Sequence, residues 1–325
     1  MTRILQDTGW RDADAQPLAG DASSRRYTRL SREGARAILM EDPDGDVTRF
    51  ARLAEWLRGI GLSAPEILGI DADAGTMLLE DLGDDLFARL ASTDPGREED
   101  LYRVAADVLV TLHSVDPPEG LLRADPAFLA AQTDLAFDWY LARAGAPDQG
   151  LKAEVAAVFE TILERHAPEP RVCVLRDYHA ENMIWLPARE GAARAGLLDF
   201  QDAVIGHPAY DLVSLIEDAR RDVAPAAAAA ARSYYLSHSG ETPEAFGAAY
   251  AALGAQRNLR ILGVFARLAA TRGKPGYIDL IPRVWRHLKT DLAHPALAPL
   301  VPLLTRLPAP EPACLDRLRP TCPTP

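Results

Sequence analysis

The sequence predicts an α+β fold of two lobes, a small N-terminal lobe with an antiparallel sheet and a larger, mostly helical C-terminal lobe. Two observations predict it. Short apolar runs separated by turn residues fill residues 1–82, whereas amphipathic helical patterns broken by prolines dominate residues 83–325. A strand-rich segment returns only at residues 171–200. We therefore expect a bilobal chain with a second, shorter group of strands inside its helical lobe.

The N-terminal lobe is predicted to contain two pairs of strands and one helix. Residues 16–42 predict a hairpin that turns within residues 31–34, where the sequence reads "SREG". Residues 47–60 carry apolar side chains at helical spacing and predict an amphipathic helix. Two further strands are predicted, joined by a turn through residues 71–75.

The C-terminal lobe is predicted to be helical outside residues 171–200. Within that segment the apolar runs "RVCVL", "NMIWL" and "GLLDF" predict short strands arranged as a hairpin. Nine of the 25 prolines follow His294, and we expect one short helix there and then a loosely held tail.

Composition excludes several classes of protein. The chain has 325 residues, 48% of them apolar, which is ample for a globular core. A net charge of −12 argues against nucleic acid or an anionic membrane as a partner. The three cysteines show no metal spacing and no disulfide framework, which fits a reducing compartment. We expect a cytoplasmic monomer that binds neither nucleic acid nor membrane.

The stretch "RDYHAEN" places many polar groups directly after an apolar run. Its Asp177 and Asn182 stand five residues apart, and Asp199 ends the later run "LLDF". This is the arrangement of protein-kinase-type phosphotransferases, in which the first Asp accepts a hydroxyl proton and the other two residues bind Mg²⁺. Carboxylate and amide oxygens are hard ligands that suit this ion. The alternative is that these residues only shape turns and a strand end.

With these motifs the sequence resembles the aminoglycoside phosphotransferase and choline kinase-like superfamily. Further similarity lies in "GDASSRRYTRL", "LLEDLGDDLF" and "QRNLRILGVFARLAA". Within the superfamily it is most similar to the bacterial anomeric kinases of N-acetylmuramate and N-acetylglucosamine, which serve peptidoglycan recycling. The resemblance implies a protein-kinase-like fold, ATP as co-substrate, Mg²⁺ as cofactor and a sugar as acceptor.

The resemblance also implies where the nucleotide binds. The segment "GDASSRRY" would cover the phosphates, with Ser23 and Ser24 as donors, although an ordinary surface turn is an equal alternative. Backbone groups of Glu80 to Leu82 would meet the adenine edge.

No lysine precedes Lys152, so the phosphate-binding lysine of protein kinases has no counterpart in the predicted N-terminal lobe. Arg25 or Arg26 is the replacement that we expect, because a guanidinium group binds phosphate with two donors. Glu55 could orient such an arginine from the next helix, or it could simply lie on a solvated helix face.

Polar residues flank the expected reaction centre and are candidates for substrate binding. Five residues near the expected reaction centre could bind sugar hydroxyls, namely His179, Glu181, Gln201, Asp202 and Tyr210. Arg257 or Arg260 could meet the carboxylate of a lactyl group. A structural role is the alternative for each of them.

Two other functions remain open at this stage. The acceptor could be an aminoglycoside, choline or another alcohol, or the protein could be a nucleotide-binding regulator that catalyses nothing. The presence of Asp177, Asn182 and Asp199 together argues against the regulator, because such a protein has no need of all three.

Overall fold

The computed structural model describes residues 3–18, 25–42, 45–145 and 147–319. The chain forms two compact units. The first, here called the sheet unit, comprises Met1–Glu119, Asp177–Ala203 and Ala226–Tyr235, and the second, the helical unit, comprises Gly120–Arg176, Val204–Pro225 and Leu236–Pro325. These units divide the chain differently from the two predicted lobes, so the lobe boundary after Leu82 stays a prediction.

The sheet unit combines strands with a few helices. Its elements are α1 (Arg3–Asp7), β1 (Asp14–Pro17), β2 (Arg26–Arg32), β3 (Ala35–Glu41), α2 (Val47–Gly59), β4 (Ile67–Asp71), β5 (Thr76–Glu80), α3 (Phe87–Thr93), α4 (Glu98–His113), β7 (Met183–Trp185), β8 (Ala195–Leu197) and most of α8 (Pro225–Ser239). Single 3₁₀ turns lie at Pro95–Arg97, Ala180–Asn182 and Gly191–Arg194.

The helical unit holds the longest helix and one short strand pair. Its elements are α5 (Pro126–Ala131), a π-helix (Ala136–Leu141), α6 (Gln149–His166), β6 (Val172–Val174), β9 (Val204–Gly206), α7 (Ala209–Ile216), α9 (Pro243–Arg272), α10 (Ile281–Asp291), α11 (Val301–Leu304) and α12 (Pro312–Leu318). Two 3₁₀ helices complete it, Pro275–Leu280 and Pro295–Leu300.

Five strands of the sheet unit form one antiparallel sheet in the order β1-β2-β3-β5-β4. The β2–β3 hairpin turns at Glu33 and Gly34, whose φ angles are 51° and 83°. A two-residue hairpin loop needs positive φ at both positions, which Gly34 supplies without strain. One side of the sheet packs α1 in a small apolar core of Ile4, Leu5, Leu30, Ala37, Leu39 and Leu78.

Helix α2 begins and ends within a residue of the predicted bounds. The Asp46 side chain accepts a hydrogen bond from the Arg49 backbone N–H and caps the helix. The predicted apolar face is buried, with Val47, Phe50, Leu53, Ala54 and Leu57 in the core.

The strands of residues 171–200 pair differently from the prediction. β7 and β8 form the expected hairpin, with Met183 opposite Leu197. β6, from "RVCVL", instead pairs with β9, a strand that the sequence analysis did not predict. Three residues are too few for a periodic pattern to indicate a strand.

The end of the chain is more ordered than predicted. Two helices, α11 and α12, follow the 3₁₀ helix Pro295–Leu300, and Leu304, Cys314 and Leu318 are buried. The expectation of a loosely held tail is therefore wrong as far as Leu318. Most prolines of this stretch stand in the first turn of a helix or between helices, where proline is tolerated, whereas Pro299 lies inside a 3₁₀ helix. Within the described ranges, no helix is both long and apolar enough to cross a bilayer.

Helix α9 is 30 residues long and runs through the core of the helical unit. It approaches the π-helix so closely at Gly263 that a Cβ atom there would overlap the backbone of Leu135 and Ala136. Backbone atoms cannot move aside as a flexible side chain can. A residue larger than glycine would therefore separate the two helices.

We expect Gly263→Ala to lower the free energy of unfolding by about 3 kcal/mol, because overpacking of a rigid contact strains both helices. Urea unfolding followed by circular dichroism measures it. Gly276→Ala is the control, since no atom lies within 4 Å of a Cβ built at Gly276. Equal stability of the two variants would contradict the close approach.

Candidate functional site

The β7–β8 hairpin brings Asn182 and Asp199 next to each other. Asn182 precedes β7, and its carbonyl accepts a hydrogen bond of 2.9 Å from the Leu198 N–H, one residue beyond the last β-pair. Asp199 is the next residue along the chain. Both residues therefore leave the hairpin at the same end.

Asp177 is joined to this end by the side chain of Asn182. The Asn182 Nδ2 donates to the Asp177 carbonyl at 2.9 Å, and the Asn182 N–H donates to the His179 carbonyl at 2.9 Å. Asp177 itself is exposed. Because the amide nitrogen of Asn182 is used in this way, its Oδ1 is left available as a ligand.

Asp199 adopts a strained backbone and makes two side-chain contacts. Its φ is 54°, in the left-handed region that a non-glycine residue seldom adopts. Its Oδ1 accepts hydrogen bonds from Arg25 Nη1 at 3.0 Å and from Gln201 Nε2 at 2.8 Å. Strain of this kind is concentrated at functional sites.

Arg25 links Asp199 to the sheet. Its Nε donates to Asp42 Oδ2 at 2.8 Å, and its side chain is only 14% exposed. The register of β2 and β3 explains this pair, because it sets Arg26 opposite Glu41 and so Arg25 opposite Asp42. Burial alone would lower the pKa of Arg25, but the hydrogen bond to Asp42 and nearby negative charges raise it above its ordinary value.

Arg26 is placed very differently from its neighbour. Its side chain is 70% exposed and lies 3.5 Å from the Glu41 carboxylate. From the sequence, Arg25 and Arg26 were equal candidates for the residue that binds the nucleotide phosphates. The geometry favours Arg25, since that residue reaches Asp199.

Glu55 lies on the exposed face of α2. Two other carboxylates, those of Asp42 and Asp199, accept hydrogen bonds from Arg25, and an orienting role of Glu55 stays a prediction. The sequence analysis did not predict Asp42, which follows β3 directly. Ser23 and Ser24, the predicted phosphate donors, lie outside the described residues.

The predicted hinge begins at Glu80, the last residue of β5. The Glu80 carboxylate forms ion pairs with Arg189 at 2.6 Å and with Arg58 at 3.6 Å. Leu82 is buried, and within the described residues its backbone N–H and C=O have no hydrogen-bond partner. Backbone groups that lack a partner within the protein are available to a ligand.

The predicted substrate residues differ in burial. His179 and Gln201 are buried in the sheet unit, and Glu181 and Asp202 are exposed there. Tyr210 and Arg257 are buried in the helical unit, where Arg257 donates to Ser214 Oγ at 2.9 Å. Their roles in binding a substrate stay predictions.

The sequence profile described as "Phosphotransferase enzyme family" matches residues 14–250. The chain belongs to this family. An N-acetylmuramate/N-acetylglucosamine kinase of Caulobacter vibrioides is 41% identical to this phosphotransferase, across 91% of this chain and 93% of the relative. A protein of the same name from Pseudomonas aeruginosa is 36% identical, across 95% and 94%. The resemblance found in the sequence is therefore confirmed.

A solved structure confirms the predicted α+β fold of the protein-kinase-like class. The phosphotransferase resembles a choline/ethanolamine kinase family protein from Mesorhizobium loti with a TM-score of 0.62 and 17% identity, across 98% of this chain and 96% of the other. At this identity the likeness shows the fold alone.

In the helical unit, Asp211 anchors the chain just before Asp177. It is fully buried on α7 and accepts hydrogen bonds from the backbone N–H groups of Leu175 at 2.6 Å and Arg176 at 2.9 Å. Sequence reasoning on this phosphotransferase missed Asp211. A single acid inside the apolar helix "AYDLVSLI" was the available signal, because a buried charge needs partners.

We expect Asp211→Asn to lower the free energy of unfolding of this phosphotransferase by about 3 kcal/mol, because an amide cannot accept both backbone hydrogen bonds as a carboxylate does. Chemical denaturation measures the loss. Asp138→Asn makes the same change in an exposed ion pair with Lys152 and should cost less than about 1 kcal/mol. Equal losses in the two variants would show that Asp211 anchors nothing.

Proposed function

We propose that this protein is a sugar kinase that transfers the γ-phosphoryl group of ATP to the anomeric hydroxyl of N-acetylmuramate, N-acetylglucosamine or both, as in peptidoglycan recycling. The observation that carries the proposal is the junction of Asp177, Asn182 and Asp199 at one end of the β7–β8 hairpin, where Asn182 is hydrogen-bonded to the backbone of Asp177 and of Leu198, the residue before Asp199. The names and coverage of the bacterial relatives support the choice of sugar.

Asp177 is the proposed catalytic base. The residue is exposed, as one that meets a substrate must be. The anomeric oxygen attacks the γ-phosphorus, the bond from that phosphorus to the bridging oxygen of ADP breaks, and the hydroxyl proton passes to Asp177. An anomeric hydroxyl is more acidic than an ordinary alcohol, so this proton transfer demands less of the carboxylate.

The donor set at the junction fits Mg²⁺. Asn182 Oδ1 and the carboxylate of Asp199 are the residues that would hold it, and both are the hard oxygen ligands that this ion prefers. Among the described residues, no group of three or more His, Cys, Asp and Glu side chains is arranged to hold a metal ion by itself, so phosphates and water would have to supply the rest of the coordination. When bound, Mg²⁺ neutralises charge on the phosphate oxygens.

Arg25 is the proposed phosphate ligand of the sheet unit. It is largely buried, remains charged, and contacts the same carboxylate that would hold the metal. Asp42 fixes the direction of the guanidinium group, a role that a helix glutamate has in protein kinases. The unpartnered backbone groups of Leu82 support the hinge as the adenine site.

We also propose that the enzyme works in the cytoplasm as a monomer. Cys173 and Cys314 are free and buried, as expected in a reducing compartment, and ATP is available there.

We expect Asp177→Asn to lower kcat about a thousandfold, because an amide cannot accept the hydroxyl proton, while the affinity for ATP stays nearly unchanged. ADP release with each N-acetylated sugar measures kcat, and calorimetric titration of an ATP analogue measures affinity. Asp73→Asn, in an exposed turn, is the matched control and should keep wild-type turnover. Equal turnover of Asp177→Asn and wild type would refute the assignment of the base.

The choice of acceptor is tested with the same ADP assay. N-acetylmuramate, N-acetylglucosamine, an aminoglycoside and choline are compared at equal concentration. Turnover confined to the aminoglycoside or to choline would overturn the sugar assignment and keep the kinase. No turnover with any acceptor would favour a regulator.

We expect Arg25→Met to weaken binding of the ATP analogue about 10- to 100-fold, the effect of removing a hydrogen-bonded charge. Arg26→Met removes an exposed arginine one residue away and should change affinity less than about twofold. Calorimetric titration compares the two variants. Equal weakening in both would mean that only net charge matters and that Arg25 has no specific place in the site.

A further inference from the structure

A chain of buried hydrogen bonds in the helical unit runs from α9 to the residue before Asp177. Arg257 Nη2 donates to Ser214 Oγ at 2.9 Å, and Ser214 Oγ donates to the Arg176 carbonyl at 3.0 Å. Ser214 is fully buried and Arg257 is 5% exposed. Neither the reaction nor the family resemblance assigns a role to these contacts.

Arg176 needs external support for its backbone. Its φ of 71° lies in the left-handed region, which costs a non-glycine residue about 1 kcal/mol or more. Both of its backbone polar groups are held by α7, the N–H by Asp211 at 2.9 Å and the C=O by Ser214 at 3.0 Å. Asp211 and Ser214 are three residues apart and therefore share one face of α7.

Arg257 explains why the Ser214 hydroxyl points at Arg176. A serine inside a helix commonly donates to the carbonyl four residues earlier in its own helix. Here the guanidinium group donates to the serine oxygen, so the single hydroxyl proton is left to donate outward, and it meets the Arg176 carbonyl.

The charge of Arg257 is itself accommodated in the core. Its Nη1 donates to the Glu217 carbonyl at 3.4 Å, and Asn258 Nδ2 bridges the carboxyl groups of Glu217 at 2.6 Å and Asp291 at 3.0 Å. Burial raises the pKa of both carboxyl groups, and the nearby charge of Arg257 opposes that rise.

We propose that Ser214, directed by Arg257, is a positioning residue for the catalytic base: its hydroxyl fixes the Arg176 carbonyl and so sets the direction in which the chain enters Asp177. The inference rests on the proposed role of Asp177 as the base. It gives Arg257 a task inside the protein, whereas the sequence suggested a contact with a lactyl carboxylate.

The test compares Ser214→Ala with Thr133→Val. Thr133 is an equally buried hydroxyl of the same unit that donates to the Ala130 carbonyl at 2.7 Å, with no link to Arg176 among the described contacts. We expect Ser214→Ala to lower kcat about tenfold with both sugars, because a small displacement of a catalytic group is costly, and to leave KM for ATP and sugar unchanged. Thr133→Val should lose as much thermal stability as Ser214→Ala does, but it should keep the wild-type kcat. Equal kcat in the two variants would overturn the proposal.

Arg257→Met separates the two roles of the arginine. If Arg257 acts by positioning the base, Arg257→Met should lower kcat by the same factor with N-acetylmuramate and with N-acetylglucosamine. Adding Ser214→Ala to this variant should lower kcat no further, because Arg257 acts through the serine. A contact with the lactyl carboxylate predicts a higher KM for N-acetylmuramate alone, which would overturn the assignment of Arg257. Should this variant not fold, Ser214→Ala still decides the question for the serine.

Amide hydrogen exchange tests the positioning role of Ser214 without a measurement of activity, so its result does not depend on the proposed function. The N–H groups of Leu175 and Arg176 are protected by Asp211. We expect both to exchange about tenfold faster in Ser214→Ala than in Thr133→Val, because the loop opens more often. Wild type without turnover on any sugar would refute the proposed function, whereas equal exchange in the two variants would refute the positioning role whatever the acceptor.

Discussion

The hydrogen bond from the Leu198 N–H to the Asn182 carbonyl is the contact on which the rest of the site depends. It extends the β7–β8 ladder by one residue and so places Asn182 beside the residue that precedes Asp199. A slip of one residue in this hairpin would turn alternate side chains to the opposite face and separate the amide from the carboxylate. The fold therefore sets the distance between two proposed metal ligands through backbone pairing.

Each unit contains one hydrogen-bonded support near a residue of the proposed site. In the sheet unit, Arg25 joins Asp42 to Asp199, and Gln201 holds the same oxygen of Asp199. In the helical unit, Asp211 and Ser214 hold the backbone of Arg176, the residue before Asp177. Each support ends on a residue with positive φ, so strain in the backbone is balanced by charge-assisted or buried hydrogen bonds.

Local patterns made part of this site predictable. Asp177, Asn182 and Asp199 stand at the ends of apolar runs, and helix α2 follows a clear helical period. Asp42 and Asp211 were not predicted, because their partners lie 17 and at least 35 residues away and no spacing rule connects such pairs. The choice between Arg25 and Arg26 depended on strand register, which the sequence did not specify. Strand β9 and the terminal helices are short elements stabilised by tertiary packing rather than by intrinsic propensity.

Phosphorus-31 NMR of the product formed from ATP and N-acetylmuramate tests the central claim most directly, because it shows which oxygen receives the phosphoryl group. If the junction of Asp177, Asn182 and Asp199 acts on the anomeric hydroxyl, we expect a single sugar phosphate. Its phosphorus should couple to the anomeric proton. A phosphate ester on any other sugar oxygen, or release of inorganic phosphate alone, would contradict the account.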